Sequence, residues 1–283
     1  MKKHFAIVKG KGNDINLFLP GLGWTAEFGL QIAEELESNF VTHMLDLPGI
    51  GRSEGLDGVV KLKDIADWIE DYIIENQLEK VNLIGHSLGG ICSLSYAIYY
   101  PHRVNQLILL DTGYSNLPRF PVKMMGPVGY ALPIINVFHK IFGEKALGKE
   151  MEWNEAKTEI TEENILKVIN TLELEDNPFI RNAIKNQPAG INLKGISLMM
   201  AAYRSNLPKM TKKLKVPCLI LYGNQEKEPT KVQFKIKKKI KKIKNTGIYA
   251  EELKGGHHAH ASDPAANKYI KGFLLNETNP LPK

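Results

Sequence analysis

One stretch constrains this chain more than any other: Val81-Asn82-Leu83-Ile84-Gly85-His86-Ser87-Leu88-Gly89-Gly90. β-compatible residues run into Gly85, and a helical apolar pattern (Ile91, Leu94, Ala97, Ile98) leaves Gly90. Passing from a buried strand to a helix in one step demands a turn so tight that the residues flanking Ser87 must lack a Cβ. The serine is then held in a strained conformation with its hydroxyl above the sheet. The new helix presents the Leu88 N–H, and its N-terminus favours negative charge. Strand and helix patterns also alternate on either side of this stretch, as a parallel sheet covered on both faces requires.

Gly85-His86-Ser87-Leu88-Gly89-Gly90 resembles the nucleophile elbow of the α/β-hydrolase superfamily. The resemblance implies an α/β fold: a mostly parallel sheet with helices on both faces, interrupted by an inserted helical cap. It extends over roughly residues 15–112 and 214–275, so the core is expected at 1–112 and 211–275. Residues 113–210 show helical patterns broken by seven prolines and lie where many relatives insert the cap. Met124, Met125, Met151, Met199, Met200, Trp153, Phe138 and Tyr130 concentrate there, and most are expected to pack the cap against itself. Residues 276–283 are expected to form a flexible tail. At the other end, Phe5–Val8 and Ile15–Leu19, separated by a turn cluster, read as a hairpin or two neighbouring strands.

The resemblance also implies the site. Pro20-Gly21-Leu22-Gly23-Trp24 follows a strand where relatives commonly carry His-Gly-x, with Pro20 in the histidine's place. Leu22 N–H occupies the position of the second oxyanion donor, beside that of Leu88. Asp46-Leu47-Pro48-Gly49-Ile50-Gly51-Arg52-Ser53 resembles a further loop of the superfamily, and a structural role is expected for it. Gly255-Gly256-His257 after the last strand aligns His257 with the base, and His258 is its rival. The acid remains open. Glu226 keeps the spacing Gly-x-x-acid after the strand ending at Gly223, Glu228 is two residues on, and Asp111 ends the preceding strand. His86, Trp24 and Trp153 are candidates to line a substrate pocket. His257, His258 and His260 have no partner ligand at a characteristic metal spacing, so no metal is expected.

The formal charge of +6 is local. Residues 231–244 hold eight lysines and no acid, and removing them leaves −2. Val232, Ile236, Ile240 and Ile243 share one helical stripe there, so a surface helix docked by that stripe is expected rather than a membrane or polyanion site. Aromatic–basic interleaving and phosphate loops are lacking, which argues against nucleic acid. No apolar run approaches the ~20 residues of a membrane span or the core of a signal peptide. Two cysteines, Cys92 and Cys218, read as buried reduced thiols. A cytoplasmic location is expected.

The order Ser87, acid, His257 is that of the superfamily. It implies a cofactor-free serine hydrolase cleaving a small or medium carboxylic ester through an acyl-enzyme, with thioester or lactone as lesser alternatives. A serine at the elbow excludes the aspartate-dependent dehalogenases and epoxide hydrolases of the same fold. Two other classes fit the residues: a catalytically silent ligand-binding protein, and an acyltransferase using the same Ser87. Oligomeric state is not readable from the sequence.

Overall fold

The computed structural model describes residues 3–122, 126–143, 160–188, 192–225, 227, 230–243 and 245–277. Its frame is a seven-stranded sheet of β1 (Ala6–Gly10), β2 (Asp14–Leu19), β3 (Phe40–Leu45), β4 (Val81–His86), β5 (Val104–Leu110), β6 (Cys218–Gly223) and β7 (Ile248–Leu253). The order across the sheet is β1-β3-β2-β4-β5-β6-β7. All pairings are parallel except β1 with β3. The crossovers carry α1 (Leu30–Leu36), α2 (Leu62–Glu75) and α3 (Ser87–Tyr99) in the first half. α9 (Thr230–Lys241) and α10 (Ala265–Leu274) flank β7.

β1 and β2 are not neighbours, which corrects the hairpin expectation. β3 lies between them, antiparallel to β1 and parallel to β2. The turn joining β1 to β2 instead lies against the start of β3: Lys11 N–H donates to Glu37 O at 2.9 Å. A Cβ on Gly10, at φ +117°, would stand 2.1 Å from Phe40 O. The glycine-rich linker therefore marks a close backbone approach, not a two-residue hairpin turn.

Side chains alternate strictly between two cores. Leu17, Leu83, Leu107, Leu109 and Ile220 face one way, with Ile65, Ile69, Leu94 and Ala97 of α2 and α3. Phe18, Ile84, Ile108, Leu110 and Leu221 face the other, with Ile32 and Leu36 of α1 and Ile270 and Phe273 of α10. Both faces being covered explains why β4, β5 and β6 read as near-continuous apolar runs.

Between β5 and β6 the described residues form α4 (Leu132–Phe142), α5 (Glu162–Leu172), α6 (Pro178–Lys185), α7 (Leu193–Tyr203) and α8 (Leu207–Lys212). This insert does not build a core of its own. Ile165, Ile169, Ile180 and Ile184 join the α1 side of the sheet, whereas Leu198, Ala201 and Leu207 join the α2–α3 side. It straddles the carboxyl edge like a clasp. The expectation that its large side chains pack together fails for Tyr130 and Phe138, which are 66% and 52% exposed. Met200 is buried. Met124, Met125, Met151 and Trp153 lie outside the described residues, as does most of the expected tail, 278–283.

The lysine-rich stretch forms α9, and Ile236, Ile240 and the following Ile243 rest on the α2–α3-side core. Its lysines face solvent, and Lys237 Nζ meets Glu252 at 2.8 Å. Cys92 and Cys218 are free and buried, and burial pushes the Cys92 thiol up to about 12. No helix among the described residues is long and apolar enough to cross a membrane.

Candidate active site

Ser87 sits at the junction of β4 and α3 with φ +50°. An L-residue is disfavoured there, and its neighbours show why the strain persists. A Cβ on Gly85 would lie 2.6 Å from Gly90 Cα, and one on Gly89 would lie 2.1 Å from Leu19 O. The second contact matters more for the site. It means the first turn of α3 packs backbone-to-backbone on the end of β2, bringing the Pro20–Gly23 loop beside the elbow. Gly21 in that loop likewise has no room for a Cβ, which would fall 2.7 Å from His86 Nδ1. Leu22 N–H makes no hydrogen bond among the described residues. Leu88 N–H belongs to the first turn of α3, whose donors lack an earlier turn to bond to. The two N–H groups thus belong to adjacent segments, available to a ligand atom.

The loop after β7 carries His257 to this corner. Its Nε2 lies 2.9 Å from Ser87 Oγ, and its Nδ1 lies 2.5 Å from Asp111 Oδ2. A carboxylate only accepts, so Nδ1 donates the hydrogen and Nε2 is left to accept from the serine hydroxyl. Asp111 follows β5 at φ +49°, its side chain 8% exposed, with its N–H donating to Leu221 O at 2.7 Å. Tyr114 donates a second hydrogen bond to the carboxylate at 2.6 Å. Burial, then the charge of Asp111, raise the Tyr114 phenol well above its ordinary value, so it stays a donor. Of the three candidate acids it is Asp111 that meets the imidazole. Glu226 and Glu228 lie outside the described residues.

His258 turns away from Ser87. Its Nε2 accepts from Trp24 Nε1 at 3.3 Å, and Trp24 stacks on Phe28 with centroids 4.1 Å apart. His86 is buried behind the elbow and donates from Nε2 to the His257 carbonyl at 3.1 Å. His260 is buried against it, ring centroids 4.4 Å apart. Burial first, and then the neighbouring histidines, push His86, His258 and His260 below the ordinary imidazole value, His258 to about 3. These three are neutral near pH 7, and His86 Nδ1 and His260 Nε2 have no hydrogen-bond partner among the described residues. Among those residues no cluster of His, Cys, Asp or Glu is arranged to hold a metal ion.

Such an arrangement can draw a proton from a hydroxyl while two N–H groups face the oxygen of an attacked carbonyl. A family model described as the alpha/beta hydrolase fold matches residues 17–264. The chain belongs to the α/β hydrolase fold family. Among solved structures, this α/β hydrolase is similar to E-2-(acetamidomethylene)succinate hydrolase at TM-score 0.69 and 18% identity, covering 97% of this chain and 99% of that one. It is similar to a thermophilic esterase from Thermogutta terrifontis at TM-score 0.67 and 18% identity, covering 97% and 94%. MenH from S. aureus matches at TM-score 0.66 and 20% identity, covering 99% and 100%.

Over Ser87 the hydrolase has a cavity of about 50 Å³ lined by Leu22, Leu88, Ile91, Leu117, Pro121, Leu132, Met199 and Tyr203. Among the described residues, no charged side chain lines it. Neither Trp24 nor His86 reaches it, which corrects their expected place in the pocket: Trp24 is held flat on Phe28, and His86 is walled off beneath Gly21. Trp153 lies outside the described residues. The lining of Leu117, Pro121, Leu132, Met199 and Tyr203 comes from the insert and the segment leading into it. No motif marks those residues, and only the methionine enrichment hinted at one of them.

The loop at 46–53 has the structural role expected of it, through the aspartate that opens the motif. Asp46 is fully buried and accepts from Ala26 N–H at 2.7 Å, Arg52 N–H at 2.8 Å and Arg52 Nε at 2.8 Å. Arg52 also forks onto Glu27 at 2.7 and 2.8 Å. Burial works to raise the Glu27 carboxyl, but the hydrogen bonds from Arg52 and Thr25 outweigh it and hold the group below its ordinary value. This network ties the segment after the Pro20–Gly23 loop to β3.

Proposed function

We propose that this protein is a serine hydrolase that cleaves esters of short, uncharged carboxylic acids through an acyl-enzyme. The chain of contacts from Ser87 through His257 to Asp111 carries the reading. Ser87 attacks the ester carbonyl while His257 Nε2 takes its proton. Asp111, replacing Glu226 as the assigned acid, holds the imidazole tautomer and stabilises the imidazolium. Tyr114 in turn fixes the carboxylate. Leu22 and Leu88 N–H groups receive the oxyanion, each worth on the order of 3 kcal/mol to the transition state. His257 then protonates the departing alcohol, and water repeats the sequence in reverse roles to release the acid. The helices between β5 and β6 act as the cap that closes the acyl site.

The cavity sets the substrate. At ~10–15 Å³ for each water-sized group, 50 Å³ admits about three to five non-hydrogen atoms. That suits acetyl to butyryl groups. Among the described residues the lining is mostly apolar and holds no cation to pair with a carboxylate on the acyl side, and burying an unpaired charge there costs several kcal/mol. The esterase among the similar structures is consistent with this chemistry. A fluorophosphonate probe is expected to label the wild-type protein on Ser87, and Ser87→Ala is expected to lose both labelling and turnover of p-nitrophenyl acetate. Undiminished turnover in that variant would remove Ser87 from the mechanism.

A further inference from the structure

A second and larger cavity, about 520 Å³, opens on the opposite side of α7 from the acyl site. α7 is a shared wall: Met199 and Tyr203 face Ser87, while Ala201 and the residues capping the helix, Arg204 and Ser205, face this cleft. Its size falls within the range of small-molecule sites. Among the described residues its lining carries five cations, Lys61, Lys140, Arg204, Lys209 and Lys213, and no carboxylate. They come from four separate parts of the chain: the start of α2, α4, the end of α7, and the α8 region. Convergence of like charges from distant segments is electrostatically unfavourable unless something compensates it.

Arg204 is the most informative of them. It is half-buried, and among the described residues its guanidinium donates to Val60 O at 2.7 Å, Asn136 Oδ1 at 3.1 Å and His139 Nδ1 at 3.1 Å and meets no carboxylate. His139 is itself buried and bonds Ser197 Oγ at 2.7 Å, and Ser197 donates to Gly58 O at 2.8 Å. This polar relay holds the arginine in place without neutralising it, and burial lowers its pKa below the ordinary value. The four lysines form no ion pair among the described residues. Of the described carboxylates near Lys61, Asp64 accepts from Lys61 N–H at 2.9 Å and Asp67 pairs with Lys63. Val59, Leu62, Tyr99 and Met210 supply apolar wall beside the charges.

We propose that this cleft is a binding site for a phosphorylated small organic anion, distinct from the acyl site. The phosphates would sit among Arg204 and the lysines, where a fixed guanidinium gives directed hydrogen bonds and the ammonium groups add charge. The organic body would lie against Tyr99 and Met210. The proposal predicts saturable, one-to-one binding of ATP by isothermal titration at low ionic strength, weakening as salt is added. Inorganic pyrophosphate is the probe for the phosphates alone. Tighter binding of ATP than of pyrophosphate assigns a role to the apolar wall, and equal binding assigns recognition to the phosphates only; both support the site.

The Lys209→Glu/Lys213→Glu variant, altered only at exposed side chains, is expected to bind ATP at least tenfold more weakly. Lys61→Glu/Lys140→Glu gives the same readout from the other wall, should the first variant fail to fold by circular dichroism. The Lys238→Glu/Lys239→Glu variant on α9 changes net charge equally outside the cleft and is expected to bind ATP like the wild type. No saturable binding of either probe would overturn the proposal. So would loss of binding in the α9 variant with retention in the cleft variants.

Discussion

The floor and the roof of the acyl site are built on opposite principles. The floor comes from strand ends: Ser87 after β4, Asp111 after β5 and His257 after β7, each held by backbone contacts and hydrogen bonds at 2.5–2.9 Å. The roof comes from the insert and the segment leading into it, through Leu117, Pro121, Leu132, Met199 and Tyr203, and meets the serine with apolar surface. The floor is specified by geometry that tolerates almost no change, since side chains must lie within fractions of an ångström of a reactive pose. The roof is specified by volume. Changes to the floor should therefore appear in kcat, and changes to the roof in selectivity among acyl chains.

The largest effect belongs to Asp111→Asn, which keeps shape and removes charge. On the proposed mechanism it lowers kcat for p-nitrophenyl acetate on the order of 10³–10⁴-fold with KM little changed. Glu226→Gln stays within about twofold. The reverse pattern would return the acid to Glu226. The floor also rests on buried neutral histidines, and this shows in acid. A histidine whose folded pKa is depressed binds its proton more readily unfolded, so stability is complete above about pH 6.5 and falls as pH drops below it. Each such group removes about 1.4 kcal/mol per pH unit until its folded pKa is reached. His86, His258 and His260 all act in this direction. Thermal melts between pH 7 and 5 should show the decline, and His260→Leu should flatten it.

On the roof, Met199→Ala should raise the ratio of kcat/KM for p-nitrophenyl hexanoate over acetate about tenfold, as room is made for further methylenes. A fall in kcat for acetate of the size seen with Asp111→Asn would erase the distinction between roof and floor. The smallest effect is expected for Tyr114→Phe. Losing one hydrogen bond to the carboxylate costs kcat about 3- to 10-fold, measured on the acetate ester.

The same division explains what could be read from residues alone. Ser87, His257 and the glycines around them stand out because the turn and the close packing of Gly89 on Leu19 admit few alternatives. The sheet is legible because β4, β5 and β6 are buried on both faces. The neighbours of β1 were not, since strand order depends on where a chain returns rather than on any local pattern. Asp111 is not singled out among three carboxylates because spacing after a strand is a local cue, whereas its fitness comes from meeting His257 146 residues away. Tyr114 and Arg204, and the part Asp46 plays within its loop, are not legible for a related reason. Each acts through a hydrogen bond that only the folded geometry closes, and the residue types alone leave no signature of it. Apolar residues of the roof are chosen for bulk, and bulk is common.

The distance along the chain between Ser87 and His257, 170 residues, has a consequence for how this protein comes into being. During synthesis the elbow emerges and can fold against β2 long before the loop that activates it exists. A nascent chain that has passed β5 thus carries a shaped but idle hydroxyl. On the proposed mechanism, reactivity toward esters switches on only when the last strand docks, and a chain cut before β7 is expected to stay silent.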